Sequence, residues 1–504
     1  MTEIVRLEAP IVVGAGVAGL TVALGLDRAC VISSREMGST WWAQGGIAVA
    51  MSPDDSPQDH AADTIAASAG LAIEDAVATL TQGGPEAISR LVQIGTEFDR
   101  DDEGRLVLGK AQGHRARRLV HADRDATGAE VMRALTAEVD SAESIEVVDE
   151  RVVDLARSGD RVAGVVTADG KRRKVYLAPG VVMATGGAGR MYQRTTNPPG
   201  ASGEGIVIAS RAGARLADLE FVQFHPTAMN AGKDPMPLLP EILREEGATL
   251  VDGSGLRFMD RYHPRAELAP HAVLARAIWH HAQASSAFLD TRSVVNFHER
   301  FPTVTAHAMS VGLNPSEHLI PVSPAAHFAI GGIDADTTGR TSVAGLWAVG
   351  ECASTGVHGA NRLSSNSLLE GLVFGARVAL DVRSQGSFDG GDIEIPADAL
   401  EMPVVAGPVV EDLREVMWDK VGLIRTGEGL QEARNAIMEM EPILDRTISG
   451  RNAADLAMLM TMAALGRSES RGGHYRADFP DEDPSQGVRS LVSPGAVDAR
   501  AILS

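Results

Sequence analysis

The sequence predicts an α/β protein that opens with a parallel-sheet domain of nucleotide-binding type and closes with a helical domain. Three observations predict it. Residues 10–33 read strand, glycine turn, helix, strand. Two later apolar strands, over 180–184 and 345–350, end in small residues. The text beyond residue 408 is helical.

The opening is the most specific of the three. Pro10-Ile-Val-Val13 is a short apolar run, Gly14-Ala15-Gly16-Val17-Ala18-Gly19 a glycine turn, and an Ala/Leu-rich helix runs on to about Arg28 before a second strand over 30–33. In a Rossmann-like βαβ unit such glycines permit the tight turn, the close approach of a pyrophosphate and close packing of helix on strand. The helix N-terminus favours the phosphate charge. A nucleotide is therefore expected at Gly14, Gly16, Val17, Ala18 and Gly19, with Ser33 and Ser34 at the end of the second strand. Glu36 is an alternative partner for a ribose. The fingerprint alone does not separate NAD from FAD. The returning strands do: Ala184-Thr185-Gly186-Gly187 and Gly350-Glu351 let backbone approach a long extended cofactor at several points, which suits FAD.

Further along, β-branched runs between Ile145 and Leu177 alternate with Ser158-Gly159-Asp160 and Asp169-Gly170, predicting a small antiparallel meander. From about Leu219 to His327 the pattern is mixed, rich in Pro and His, with a helix over 272–281. An apolar helix begins near Ser367. The stretch 385–408, with its glycines, prolines and acids, reads as a linker. Helices are expected over 411–421, 429–440 and 453–466; the last is apolar nearly all round and so is expected to pack on both sides. The tail from Ser468 reads as irregular.

Composition sets bounds on all this. A chain of 504 residues is too long for one core and divides into two or three domains. Hydrophobic content of 44% and a mean hydropathy near zero are those of a globular protein. No apolar run reaches the ~18–20 residues that span a bilayer, and Met1–Leu7 does not read as a signal peptide. Cys30 and Cys352 lie far apart, have no metal-ligand spacing and suit a reducing cytoplasm. A formal net charge of −21 argues against nucleic acid and anionic membrane as partners. An anionic substrate would then need local cations.

Those cations and donors occur in three glycine-flanked segments. They are Gln223-Phe224-His225-Pro226-Thr227, Pro324-Ala-Ala-His327-Phe-Ala-Ile-Gly331-Gly332, and His358-Gly-Ala-Asn361-Arg362-Leu-Ser-Ser-Asn366-Ser367. Two histidines and an arginine in such turns suit a small dicarboxylate, with the arginine gripping one carboxylate bidentately. A lone histidine is more often structural; three segments with matching neighbours reverse that balance.

These segments, together with Ser39-Thr40-Trp-Trp-Ala43-Gln44-Gly45-Gly46, Asp125-Ala-Thr-Gly128, Thr195-Thr-Asn-Pro198 and Ser202-Gly-Glu-Gly205, resemble the fumarate reductase/succinate dehydrogenase flavoprotein superfamily over essentially the whole chain. Within it the likeness is greatest to the bacterial L-aspartate oxidase family, whose C-terminal signatures are similar to Met417-Trp418-Asp419-Lys-Val-Gly422 and Glu469-Ser-Arg-Gly472-Gly-His474. The resemblance implies an FAD-binding domain in two parts (1–218 and 329–395), an inserted α+β capping domain (219–328) and a helical C-terminal domain (405–504). It implies that Thr40, Gln44, Gly45, Gly46, Ser367 and Leu368 join the FAD site and that Glu351 holds a hydroxyl of the FAD chain. Ser39 stands where succinate dehydrogenases carry the histidine that attaches FAD, which implies a non-covalent cofactor. His225, His327 and Arg362 match carboxylate-binding positions, and Gln223, Glu241, Arg244 and Ser365 match neighbouring pocket positions. The implied reaction is oxidation of L-aspartate to iminoaspartate with O2 or fumarate as acceptor, the first step of de novo NAD synthesis, coupled to quinolinate synthase.

Three positions depart from the family pattern. His271, in Ala269-Pro270-His271-Ala272, stands where the family carries an arginine assigned to proton transfer. Ala111 replaces a glutamate near the substrate amino group, and Pro240 replaces a hydroxyl residue. Histidine can carry a proton near neutral pH but cannot chelate a carboxylate as arginine does. Two alternatives stay open at this point: a related fumarate reductase or oxidase of another small acid, and a non-catalytic flavoprotein. Other features have plainer readings. His280 and His281 are adjacent on a helix and cannot share a face as a metal pair. The basic run Lys110, Arg115, Arg117 and Arg118 reads as a solvated loop near the active site.

Overall fold

The computed structural model describes residues 2–34, 37–170, 172–385, 391–404 and 409–493; Glu36 lies outside them. A five-stranded parallel sheet carries the first half of the architecture. Its strands run Leu346–Ala348, Val181–Met183, Ile11–Val13, Ala29–Ile32, Ile145–Val148 across the sheet. The middle three are wholly buried, as expected of apolar runs covered on both faces. Between Ile11–Val13 and the helix Val17–Gly25, Gly14 adopts φ +108, and a Cβ there would lie 2.3 Å from the carbonyl oxygen of Ala184. At Gly19 a Cβ would meet the Gly14 carbonyl oxygen at 2.0 Å. Two glycines thus let turn, helix and neighbouring strand touch backbone to backbone.

The strand Ile145–Val148 corrects the expected meander. It follows the helix Thr127–Ser141, which returns the chain to run parallel beside Ala29–Ile32, so it forms the edge of the nucleotide sheet. The meander proper is Arg151–Ser158, Arg161–Asp169 and Arg172–Leu177, and the N-terminal strand Glu3–Arg6 joins it in parallel pairing.

An inserted capping domain is built on an antiparallel sheet ordered Val222–Met229, Ile320–Ala329, Ala287–Asp290, Thr249–Asp252. The helix His271–Ala282 packs on its first two strands. Leu250, Leu274, Ile278, Leu289 and Phe297 give this domain a core of its own. It is tied back to the FAD-binding part by Asp125, whose buried carboxylate accepts from the backbone N–H and hydroxyl of Thr303 at the start of the helix Pro302–Met309.

Three helices, Val409–Val421, Gly427–Leu444 and Ile448–Gly466, form the C-terminal domain. The last two start earlier than the apolar pattern predicts because the hydroxyls of Thr426 and Thr447 accept from the N–H groups of Gly429 and Gly450. Ile448–Gly466 packs on both sides, against its two sister helices and against Glu204–Arg211. The tail departs from its reading as irregular: Leu491–Val492 pairs antiparallel with Leu216–Ala217. The expected linker also contains a short helix, Ala397–Glu401, while 386–390 and 405–408 lie outside the described residues. The α/β class with an inserted cap and a helical C-terminus holds. Among the described residues no helix is long and apolar enough to cross a membrane.

Candidate active site

One cavity of about 1040 Å³ runs between the parallel sheet and the capping domain. Its walls include Ser33, Ser34 and Asp140, then Gly14, Gly16, Val17 and Ala18 at the helix N-terminus, then Ser39, Thr40, Gln44, Gly45 and Gly46. Ala184, Thr185, Gly186, Glu351, Ser365, Ser367 and Leu368 line it as well. Gly19 is behind the wall, where it sets helix packing.

The fit to a dinucleotide rests on this chain's own atoms. The Val17 N–H meets the Thr40 hydroxyl at 3.3 Å, a long contact beside the glycine turn. Gly186, at φ +78, has nothing within 4 Å of where a Cβ would stand. The buried Gln44 Oε1 has no hydrogen-bond partner among the described residues. A bare cradle, a helix N-terminus and an unsatisfied amide oxygen along one channel suit an extended FAD.

The same cavity is bounded by a cluster of basic and acidic groups. Gln223 and His225 sit two apart on one strand and so face the same way, while Phe224 between them turns into the core. The neighbouring strand brings in His327. His225 and His327 stand 5.4 Å apart between ring centroids, and His271 lies 5.3 Å from His225. Nδ1 of His225 accepts from the Thr227 backbone N–H at 3.2 Å, so in the neutral ring Nε2 carries the proton. Nδ1 of His327 meets the Thr196 hydroxyl at 2.9 Å. Burial, helped by neighbouring positive charge, depresses both: His327 to about 3 and His225 well below its usual value. Both are neutral hydrogen-bonding groups at working pH.

Arg362 is the fixed cation of the cluster. It enters on the turn before the helix Asn366–Arg383, where Ser365 adopts φ +65. His358 on the same segment turns away to Glu370 at 2.9 Å, which anchors the loop. Arg362 donates to Gln223 Oε1 at 3.0 Å and to the Ser367 hydroxyl at 2.8 Å, and Gln223 donates back to the Arg362 carbonyl. Its Nε has no partner among the described residues. Burial lowers it only to about 10, so it stays charged. Arg244 is buried behind the wall and donates through one nitrogen to the Thr227 hydroxyl; its Nε and second terminal nitrogen have no partner among the described residues.

Glu241 lines the cavity with Oε2 at 3.2 Å from Nε2 of His271, an ion-pair distance without hydrogen-bond alignment. Burial works to raise its carboxyl, but His271 and Arg244 outweigh that and hold it below the usual range. Such looseness before substrate arrives is common in acid–base pairs. Ala111 and Pro240 also line the cavity, Ala111 in an apolar corner with Ala48 and Leu119.

Sequence reasoning gave no role to Phe328, whose ring lies 4.6 Å under the Arg362 guanidinium, or to Thr196, which orients His327. Both lie inside quoted motifs; their adjacency to His327 and to Asn197 was the available signal. The basic run is corrected. Arg118 is fully buried and bidentate on Asp55, with Asp63 at 3.0 Å, and Arg115 also grips Asp63. Lys110 and Arg117 line the cavity.

Comparison with known proteins follows the same lines. A family described as FAD binding domain matches residues 10–368, and one described as fumarate reductase flavoprotein C-term matches 442–493. The chain is 42% identical to the L-aspartate oxidase of Caulobacter vibrioides, over 97% of this chain and 96% of that protein. It is 40% identical to that of Mycobacterium tuberculosis, over 98% and 96%. Among solved structures, the quinol fumarate reductase of E. coli superposes with a TM-score of 0.88 at 28% identity, over 97% of this chain and 94% of that one.

Proposed function

The chain belongs to the L-aspartate oxidase family of FAD-binding flavoproteins, and we infer that it oxidises L-aspartate to iminoaspartate, with O2 or fumarate as acceptor, as the entry step of NAD synthesis. The observation that carries the reading is the convergence of Arg362, His225, His327, His271 and Glu241 in a cavity that also runs along the glycine turn. Bound FAD supplies the acceptor for the two electrons of the substrate's C–H bond.

The residues of the chain do the rest. Arg362 offers its charge to one carboxylate, while Gln223 and Ser367 fix the plane of the guanidinium. His225 and His327 donate hydrogen bonds without adding charge, Arg244 adds a second buried cation, and Ser365 borders the pocket. Glu241 and His271 hold the proton that the substrate nitrogen gives up. Residues 219–328 close over the site as a cap on the FAD-binding parts 1–218 and 329–395, with 405–504 as the helical domain. FAD is held without a covalent bond, since Ser39 offers no imidazole. The buried free thiols of Cys30 and Cys352 suit the cytoplasm, and the product feeds quinolinate synthase.

The test is anaerobic mixing of the purified yellow protein with L-aspartate, succinate and fumarate while the flavin absorbance is followed. Aspartate should bleach it. Bleaching by another small acid but not by aspartate would replace the named substrate. Replacing His271 with Ala should slow the aspartate half-reaction ~10²–10⁴-fold, the range for general acid–base groups; near-normal turnover would make His271 a bystander. Acid precipitation should release all the flavin as FAD, and colour left on the pellet would refute non-covalent binding.

A further inference from the structure

Three consecutive residues behind the cavity wall, Gln112, Gly113 and His114, touch both of its sides. The Gln112 side chain donates to the Leu268 carbonyl at 2.6 Å, three residues before His271 opens the helix of the capping domain. Gly113, at φ +90, packs on Leu363, whose side chain lies 2.7 Å from where a Cβ would stand. His114 is buried, and its Nε2 meets the Ser364 carbonyl at 3.0 Å. A carbonyl only accepts, so Nε2 carries the proton and donates. Burial holds His114 below its ordinary value and keeps the ring neutral. Ala111 lines the cavity; none of the three residues after it does.

The turn they reach is the one that carries Arg362. Within it Ser365 sits at φ +65, a left-handed conformation that a residue with a side chain keeps only where its surroundings hold it. Three separate segments do so. His114 takes the Ser364 carbonyl, and the Ala48 N–H donates to the Ser365 carbonyl at 3.0 Å. On the helix Pro57–Ala67, His60 meets Asn366 Oδ1 at 2.8 Å, and Asn366 donates to Thr64 at 3.1 Å. The same helix anchors the loop. Asp63, on the face shared with His60 and Thr64, accepts from the Arg115 backbone N–H at 2.9 Å and stands 3.0 Å from Arg118. Loop and turn thus rest on one base, and the hydrogen bond of His114 joins them directly.

We propose that residues 112–114 are a strut that sets the spacing between the Arg362 turn and the start of the cap helix, with His114 as its positioning residue. His271 and Arg362 come from different parts of the fold, and a small dicarboxylate held between them is gripped only if their separation matches its length. Gln112 fixes the His271 end and His114 the Arg362 end. Gln223 and Ser367 set the plane of the guanidinium; His114 sets the backbone from which it extends.

The strut rests on the reading of Arg362 as a carboxylate partner and not on the oxidation, so binding alone tests it. Succinate is titrated into the holoenzyme while the flavin absorbance is followed, with FAD content and Tm measured on each variant. His114→Ala should weaken succinate about tenfold, the scale of one lost hydrogen bond. His114→Gln, whose amide N–H reaches the same carbonyl, should bind nearly as wild type. In the Arg362→Leu background His114→Ala should add little further loss, since the two residues act through one contact. A merely structural role would instead lower Tm and FAD content and weaken binding equally in both backgrounds. Wild-type affinity in His114→Ala, or full additivity with Arg362→Leu, would overturn the strut. Should His114→Ala fail to retain FAD, Gln112→Ala decides: it frees the other end and should weaken succinate about threefold, and unchanged affinity would overturn the proposal. Normal succinate binding by Arg362→Leu would sink the carboxylate reading and the strut together. Loss in Arg362→Leu with none in His114→Ala would sink the strut alone.

Discussion

Under the C-terminal tail, Arg467 donates to Glu220 and Glu469 at 2.7 Å each and to the carbonyls of Gln486 and Val488 at 2.8 Å. Arg471 holds Glu469 with two nitrogens, and Ser490 completes Glu220. At the cavity, Arg362 and Arg244 are as deeply buried, yet nitrogens of both, and Glu241 Oε1, have no hydrogen-bond partner among the described residues. The two clusters use the same side chains. One has its donors and acceptors matched within the protein; the other withholds them. A saturated buried network holds the fold in one arrangement, whereas an unsaturated one carries a desolvation cost that only a matching ligand relieves. At these two clusters the contrast separates structural charge from charge placed at the cavity.

The largest expected effect comes from breaking the saturated cluster. Arg467→Ala takes the cation from buried Glu220 and should cost about 3–5 kcal/mol of stability in denaturant titrations, with succinate affinity of the folded fraction unchanged. A stable variant with weakened binding would erase the distinction. Next, Arg362→Leu should cost ~2–5 kcal/mol of dicarboxylate binding, read by titration with succinate, while FAD content and Tm stay near wild type. A collapse of Tm instead would place Arg362 among the structural charges.

Acid sharpens the comparison further. Burial and adjacent arginines hold His474, beside the saturated cluster, at about 2, and His327 in the cavity at about 3. A histidine depressed in the folded state takes its proton only on unfolding. Stability is therefore full above the unfolded value of ~6.5 and falls below it, by about 1.4 kcal/mol per pH unit for each such group. The carboxyls of Glu245 and Glu351, each pushed up to about 7 by burial, act with the opposite sign between about 4.5 and 7. Succinate should relieve the acid loss at His225 and His327, which face it, and leave that at His474. Tm measured from pH 6.5 to 4.5, with and without succinate, checks this; identical slopes would remove the histidines from the ligand. The smallest effect is expected at Arg115, which is 64% exposed although it grips buried Asp63. Arg115→Ala should cost no more than about 1 kcal/mol, the range of exposed pairs.

Much of this was legible in the residues. The glycine turn and its flanking strands read correctly because steric demand and apolar pattern coincide there. Ile145–Val148 was misplaced because its β-branched run matches the meander that follows; its pairing is set by the helix before it. Leu491–Val492 offers no periodicity at all, being two residues long. At the site, His225, His327 and Arg362 stood out through their glycine-flanked motifs. Arg118 did not, since the aspartates that bury it lie more than fifty residues earlier in the chain.

The order of strands in the nucleotide sheet also has a consequence for how the protein is made. Ile11–Val13 lies between Val181–Met183 and Ala29–Ile32, and the far edge is supplied only by Leu346–Ala348. A chain leaving the ribosome at ~5–20 residues per second waits on the order of tens of seconds between its first sheet strand and its last. Throughout that interval Val181–Met183 is without its outer neighbour, and the cofactor cradle lacks Glu351, Ser365 and Ser367. The nascent chain must be kept from sticking to others of its kind until that edge arrives, so its yield in the cell should depend on chaperone supply.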